Sequence, residues 1–296
     1  MRKAIGIDIG GTKIAAGIIN ELGDLEQSLE IPSIPLDGEG LFEAVVSLVE
    51  ELLTSSMLER TQVSLGLGVP GLVDTEKGLA VFQNNLNWRN FPIVDRLRLR
   101  FPELNKIVID NDVYQAAFAE WVSLKLGEKD TLAFFTVSTG ISSPVILAGE
   151  GLKGDGFAGE IGLIPVYSTG KMIRLEEAAS GPAIAKAGQL AYDDPTVTTA
   201  TVFDRYYSAD QSAVGIIDEA AEALAQGLYA LISLVNPSRI IFGGSVIKKN
   251  PALLNLIKEK LEDKLIPIQG PILNKLLMSC YDNNAGLIGA GLRALN

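Results

Sequence analysis

The chain has no histidine and a single cysteine, Cys280. The first absence removes the usual general base and the commonest transition-metal ligand; the second removes internal disulfides and any cysteine-based zinc or iron–sulfur site. Proton transfer near neutral pH must therefore fall to a carboxylate or, failing that, to Lys or Tyr. Apolar runs long enough to span a bilayer are also missing. The first strand pattern begins at Lys3 and leaves no room for a signal peptide, so a cytoplasmic protein without a membrane partner is expected. Basic residues are few: 25 Lys and Arg against 36 Asp and Glu give a net charge of −11. Without a basic face, nucleic acid is not an expected partner. A hydrophobic content of 47% beside 21% charged residues fits a globular protein, and 296 residues suffice for two domains.

The most informative residues present are at the N-terminus. Lys3 to Ile9 reads as a buried strand that runs into Gly6 to Lys13, GIDIGGTK. Asp8 closes the strand, Gly10 and Gly11 leave backbone N–H groups open to phosphate oxygens, and Thr12 and Lys13 add a hydroxyl and a charge. Apolar residues resume from Ile14 to Ile19, which puts the glycines at a hairpin tip. A Walker loop and a dinucleotide fingerprint both need a helix there, so neither fits. An ordinary glycine hairpin is the plainer alternative; Asp8 and Thr12 beside the glycines favour phosphate binding.

Further strands are predicted at Lys13 to Ile19, Leu25 to Ile31, Val63 to Val69 and Lys106 to Asp110, with a helix from Leu41 to Leu53. A second hairpin is predicted from Thr131 to Val137, turning at Ser138, Thr139 and Gly140 and returning along Pro144 to Ala148. Beyond Pro165 the pattern turns helical: Leu175 to Tyr192, Val202 to Ser208, and Gln211 to Leu234, the last stopped by Asn236 and Pro237. A strand from Arg239 to Phe242 leads into Gly243, Gly244 and Ser245. A helix from Pro251 to Lys264, a strand near Leu276 to Cys280 and a helix from Ala285 to Leu295 follow. The alternation predicts an α/β protein with mixed sheets flanked by helices.

Two segments carry carboxylates where chemistry is expected. Asp110, Asn111 and Asp112 stand where a strand becomes a helix, a place for a helix N-cap as well as for a ligand-facing acid. Glu160 lies in the glycine-rich stretch Gly156 to Gly162, and Glu176 and Glu177 open the next helix, where acids also suit the helix dipole.

Taken together, GIDIGGTK from Gly6, GLGVPGLVD from Gly66, NNLNW from Asn84, DNDV from Asp110, STG from Ser138, AGEIG from Ala158, LEEAASGPAIAK from Leu175, NPSRIIFGGSV from Asn236 and GLIGAGLRAL from Gly286 resemble the ROK family of sugar kinases in order and spacing, over nearly the whole chain. The resemblance implies two actin-like, RNase H-like domains of the hexokinase-type ATPase fold around an interdomain cleft that holds sugar and ATP. The small domain would span 1–112, completed by 285–296, and the large one 113–284. It implies ATP-dependent phosphorylation of a hexose, glucose first, with Asp112 as the base that takes the sugar hydroxyl's proton. Gly71, Asn85, Asn111, Glu160 and Glu176 match sugar-pocket positions. Asp8, Gly10, Gly11, Thr12 and Lys13 match the first phosphate loop, Thr139 and Gly140 the second, and Gly227, Gly243 and Gly244 the nucleotide side. Asp8 would act on Mg²⁺ through water, and the resemblance allows a homodimer.

Three positions depart from the family pattern. Leu163 stands where His usually follows EIG, Tyr167 to Arg174 replaces a cysteine-rich zinc segment, and Ser142, Ser143 and Pro144 replace glycines after the second turn. A zinc site is therefore not expected, and the sugar could be fructose, mannose or an N-acetylated hexosamine. A sugar-binding sensor is the competing class. Repressors of the family carry a helix-turn-helix domain ahead of the first strand, whereas only Met1 and Arg2 precede it here, and Asp8, Thr12 and Asp112 are all retained.

Overall fold

A computed structural model describes residues 2–33, 37–56, 58–83, 86–281 and 284–296. Along the chain run β1 (Lys3–Ile9), β2 (Lys13–Asn20), β3 (Leu25–Pro32), α1 (Gly38–Ser55), β4 (Ser64–Val69), β5 (Leu72–Asp74), β6 (Leu79–Phe82), β7 (Arg89–Phe91), α2 (Ile93–Arg100), β8 (Lys106–Asn111) and α3 (Asp112–Ser123). Then come β9 (Thr131–Val137), β10 (Ile141–Ser142), β11 (Val145–Leu147), β12 (Glu150–Gly151), β13 (Pro165–Ser168), β14 (Lys171–Arg174), α4 (Leu175–Ala179), α5 (Gly181–Tyr192), α6 (Thr199–Tyr207) and α7 (Gln211–Val235). The chain ends with β15 (Arg239–Gly243), α8 (Ser245–Lys249), α9 (Ala252–Glu262), β16 (Leu276–Met278) and α10 (Ala285–Leu295).

The chain divides into two units. The first comprises Met1–Glu128, Ile146–Phe157 and Cys280–Asn296; the second comprises Lys129–Val145 and Ala158–Ser279. The first unit is built on a sheet of order β3-β2-β1-β4-β8. Strands β1 to β3 form an antiparallel meander, and β4 and β8 run parallel to β1. Apolar residues of β1 and β2 are buried at nearly every position, as expected of strands covered on both faces. Phe42, Val45, Val49 and Leu52 of α1 join Ile5, Ile7 and Leu65 in one core. Helix α10 lies so close to the sheet that a Cβ at Gly66 would fall 1.8 Å from the Ala290 carbonyl oxygen, which only glycine permits.

The expected domain boundary at residue 112 falls later, because α3 packs with the first unit. A Cβ at Gly289 of α10 would sit 1.7 Å from the Gln115 carbonyl oxygen, so the two helices approach backbone to backbone. That closeness depends on a glycine of α10 facing the α3 backbone across long sequence separation. The return of 146–157 to the first unit has the same non-local character.

In the second unit β9 pairs in parallel with β15, and β15 with β16, while β10 folds back antiparallel on β9. The core joins Phe135, Phe242, Leu224, Leu228 and Ile257, with the Phe135 and Phe242 rings 5.6 Å apart. The return strand expected over Pro144 to Ala148 is present as β11, beside β9, and a shorter strand, β10, precedes it; the break between them falls at Ser143 and Pro144. Pro144 has no N–H for a ladder, and its carbonyl accepts from the Phe134 N–H at 3.0 Å, while Ser143 N–H donates to Gly159 at 2.6 Å. The helix expected over Leu175 to Tyr192 likewise breaks at Ser180. Its side chain caps α5 by accepting from Ala183 N–H, ahead of Pro182 in the first turn.

The segment that replaces the cysteine-rich stretch forms the antiparallel hairpin β13–β14, with Thr169 and Gly170 at its tip, both at positive φ. Helix α7 holds it by hydrogen bonds. Gln226 accepts from Tyr167 N–H at 2.9 Å and donates to the Tyr167 carbonyl at 3.0 Å; the Glu219 carboxylate accepts from Ser168 Oγ at 2.9 Å and Thr169 N–H at 2.6 Å. Bonds to a charged acceptor each contribute about 1.5–3 kcal/mol. Glu219→Ala is expected to destabilise the protein by about that much and to open the hairpin to protease between residues 165 and 174. Unchanged melting and an unchanged cleavage pattern would show that the apolar contacts of Val166 suffice.

Candidate active site

Each unit carries part of the predicted residue set. In the first, β1 ends at Asp8 and Ile9, the turn is closed by Gly10 N–H donating to the Lys13 carbonyl at 2.9 Å, and Ile9 pairs with Ile14. The glycines do sit at a hairpin tip. Thr12 is exposed there. Lys13 reaches sideways to Glu30 on β3, at 2.6 Å, so its charge is already shared with a carboxylate.

Sheet register sets Asp8, Gly68 and Asp110 side by side on β1, β4 and β8. Two residues beyond Asp110, Asp112 begins α3. Burial, then the negative charge of Asp112, pushes the Asp8 carboxyl up to about 7, against a smaller lowering by Lys13. Gly286 makes room for Asp8, and Gly68 lies beside both acids. A Cβ at Gly286 would lie 2.9 Å from Asp8 Oδ2, and one at Gly68 would lie 3.4 Å from the Asp112 Cα and 3.6 Å from Asp8 Oδ1. Gln115 is buried beside Gly68 and donates to the Leu67 carbonyl at 3.2 Å. The sequence contained all three residues, yet nothing in their spacing marked them as neighbours of a carboxylate pair.

Between the two candidates for the helix cap, Asn111 takes the role. Its Oδ1 accepts from Val113 N–H at 3.0 Å and Tyr114 N–H at 3.3 Å, and its Nδ2 donates to the Gly71 carbonyl at 3.0 Å. Asp112 is half-buried, with Oδ1 accepting from Val113 N–H at 2.9 Å. Gly71 stands at positive φ where β4 leads into β5. Asn85 lies outside the described residues.

In the second unit Thr139 and Gly140 form the turn between β9 and β10, with Ser138 N–H donating to the Gly140 carbonyl at 2.9 Å. Glu160 and Glu176 are brought together. Partial burial and then the charge of Glu176 raise the Glu160 carboxyl above its ordinary range. Positions on Gly140 and Gly162 where a Cβ would stand are 3.6 and 3.3 Å from Glu176 Oε2. Ser142 and Ser143 both reach the backbone of Gly159, next to Glu160, so the residues that replace glycines after the turn tie it to the loop bearing that acid.

A groove of about 640 Å³ in the same unit is lined by Thr139, Gly181, Phe203, Tyr207, Ser245 and Lys249, among others. That volume suits a nucleoside. Gly244 opens α8 at φ 84°, with a Cβ position 2.3 Å from the Val137 carbonyl oxygen, a place only glycine can fill. Gly243 and Gly227 have a packing role: their missing side chains accommodate the Phe134 ring and Leu175, respectively. Among the described residues no cluster of three His, Cys, Asp or Glu side chains could hold a metal ion.

Mixed sheets flanked by helices, a glycine hairpin turn and carboxylates at strand ends agree with the actin-like, hexokinase-type phosphotransferase fold that the sequence resemblance implies. The ROK family model matches residues 4–295. A glucokinase of Halalkalibacterium halodurans is 31% identical, over 97% of this chain and 93% of that protein. An N-acetylmannosamine kinase of Escherichia coli is 32% identical over 98% and 97%. The crystal structure of a ROK family glucokinase from Streptomyces griseus, in complex with glucose and AMPPNP, superposes with a TM-score of 0.80 at 27% identity and 99% coverage of both chains. The chain belongs to the ROK family, and it is an ATP-dependent sugar kinase. No helix among the described residues is long and apolar enough to cross a membrane.

Proposed function

We propose that the protein transfers the γ-phosphoryl group of ATP to a hydroxyl of a hexose, glucose being the first choice, with Asp112 as general base. The observation that carries this reading is the Asp8–Asp112 pair beside a glycine phosphate turn, in a chain without histidine. Phosphoryl transfer asks for an oriented acceptor, neutralised phosphate charge and one group to receive a proton. In this reading the acceptor hydroxyl donates to the Asp112 carboxylate. As its oxygen bonds to the γ-phosphorus, its proton passes to Asp112 and the bond to the ADP oxygen breaks. Asn111, fixed by its cap bonds, Gly71, Asn85, Glu160 and Glu176 would hold sugar hydroxyls. The turn at Gly10 to Lys13 and the turn at Thr139 and Gly140 would meet phosphate, and the groove beside Thr139 the nucleoside.

The donor set fits Mg²⁺, which typically takes one or two carboxylates along with substrate phosphates and water. Asp8 would hold it through water; burial and the neighbouring Asp112 charge raise its pKa, and a bound cation would favour its ionised form. Bound with ATP, Mg²⁺ supplies neutralisation of phosphate charge.

The Glucokinase relative and the glucose-bound neighbour support glucose, and the 32% identity to an N-acetylmannosamine kinase supports an N-acetylated hexosamine as the second reading. Comparison of kcat/KM for glucose, mannose, fructose and N-acetylmannosamine tests the choice. Glucose ahead by tenfold or more is the expected result; N-acetylmannosamine ahead by that margin would favour the second reading.

Leu163 bears on the same choice. It is 48% exposed, and its N–H donates to the Glu160 carbonyl at 3.1 Å, so it stands beside a candidate sugar-binding acid. Where the family's His would donate to a hydroxyl, Leu forfeits about 0.5–1.5 kcal/mol of net hydrogen bonding. Leu163→His is expected to raise kcat/KM for the preferred hexose about 2- to 10-fold and to sharpen rejection of the epimer altered at the hydroxyl it meets. Wild-type protein that already separates every epimer by several orders of magnitude would show that other residues do this work.

A further inference from the structure

Lys153 lies on the strap of residues that follows β12, and its ammonium sits 2.8 Å from Asp110 Oδ2. Asp110 is 6% exposed, and its other oxygen accepts from Asn111 N–H at 2.8 Å. A buried carboxylate with one oxygen on its own backbone needs a cation for the other, and Lys153 supplies it. The strap is pinned to the β8–α3 corner at further points. The Tyr114 hydroxyl donates to the Leu152 carbonyl; a Cβ at Gly151 would strike the Tyr114 ring at 2.7 Å; and Arg293 of α10 bonds the Gly149 carbonyl at 3.1 Å and Glu150 at 2.6 Å. The strap also crosses Leu72, since a Cβ at Gly156 would lie 2.3 Å from its side chain, and the preceding residue, Gly71, receives Asn111 Nδ2.

These contacts close a ring of links around the turn at Asn111 and Asp112. Strand β8 fixes the turn from one side and the helix cap from the other, and the ion pair adds a charged link from the buried strand end to the strap. We propose that Lys153 and Asp110 are positioning residues for Asp112: their ion pair locks the β8–α3 corner so that the carboxylate meets the acceptor hydroxyl. The inference rests on Asp112 being the base. In-line transfer tolerates little displacement, and an error of about 1 Å can cost about 10²-fold in rate.

The test uses the full chain with ATP, Mg²⁺ and its preferred hexose. Lys153→Met and Asp110→Asn should each lower kcat by about 10- to 100-fold, with KM for sugar and ATP within about twofold of wild type. The double variant should be no slower than the worse single one, because both remove the same link. Lys153→Arg, which keeps the cation, should recover kcat to within a few-fold. In an Asp112→Asn background, Lys153→Met should cost nothing further. If Lys153→Met fails to fold, Asp110→Asn, which keeps an acceptor for the Asn111 N–H, carries the same comparison. Unchanged kcat in the single variants, or additive losses in the double, would overturn the positioning role while leaving Asp112 as base. Full turnover in Asp112→Asn alone would instead remove the reading on which the role rests.

Discussion

Asp112→Asn is expected to lower kcat by about 10²–10⁴-fold, the usual cost of losing a general base, while sugar affinity stays within a few-fold of wild type. The amide keeps the shape of the side chain and an oxygen to accept from Val113 N–H, as Asp112 does at 2.9 Å. Capping of α3 rests on Asn111, so the helix should not unravel. What the amide loses is the capacity to take a proton, and no histidine exists in the chain to replace it. Steady-state kinetics with a binding isotherm for the hexose checks both halves. Wild-type turnover would reduce Asp112 to a first-turn acid of α3. Lost binding together with lost turnover would make it a ligand for sugar and not a base.

Asp8→Asn should separate stability from activity. The Asp8 carboxyl titrates at about 7 in the folded chain and near 3.8 when exposed. Below 3.8 both states hold the proton and the group has no effect. Between 3.8 and 7 the folded state keeps a proton that the unfolded state releases, so stability falls as pH rises, levelling off above 7. At pH 8 the ionised Asp8 costs the fold up to roughly 4 kcal/mol. Asp8→Asn removes that cost. Its melting temperature should exceed wild type by about 5–10 °C at pH 8, and the difference should shrink toward pH 5. Activity should fall by about 10²-fold or more, since the charge that meets the phosphate and its cation is gone. A variant less stable than wild type at pH 8 would show that the Asp8 carboxylate is held by partners that favour its charge. The burden fits a residue retained for chemistry at the expense of the fold.

The parts of the molecule that follow local rules could be read from the sequence. The β1–β2 hairpin, β3, α1, the long α7 with its Asn236 stop, and α10 all follow from hydrophobic period and capping residues, and the structure has them within a few residues. Asn236 ends α7 in the left-handed conformation. The failures have a common cause. Ser180 splits a continuous helical pattern because its hydroxyl is more useful as a cap than the residue is inside a helix, and local period alone does not decide between those uses. The α3–α10 approach, the return of 146–157 to the first unit, and the Asp110–Lys153 pair all join residues far apart in sequence. The hairpin β13–β14 depends on Glu219 and Gln226, two polar residues of α7 that look like ordinary solvent-facing positions.

Site residues divide the same way. Asp8, Thr12 and Lys13 are adjacent in sequence and form one turn, so motif and structure coincide there. Glu160 and Glu176 belong to separate motifs, and only the fold reveals that the charge of Glu176 adds to the burial that raises the Glu160 carboxyl. The motif at Gly6 to Lys13 makes Lys13 a candidate phosphate-facing cation. Its salt bridge to Glu30 on the neighbouring strand comes from β2–β3 pairing, which places Glu30 opposite Ala15 and within reach.

Phosphorus NMR of the protein with ATP, Mg²⁺ and each hexose in turn would be decisive. The predicted result is a sugar phosphomonoester signal that grows in step with ADP, one for one, for glucose or a close relative, and that is absent with Asp112→Asn. ADP formed without a sugar phosphate, or the same sugar phosphate formed at an undiminished rate by Asp112→Asn, would contradict hexose phosphorylation through this carboxylate.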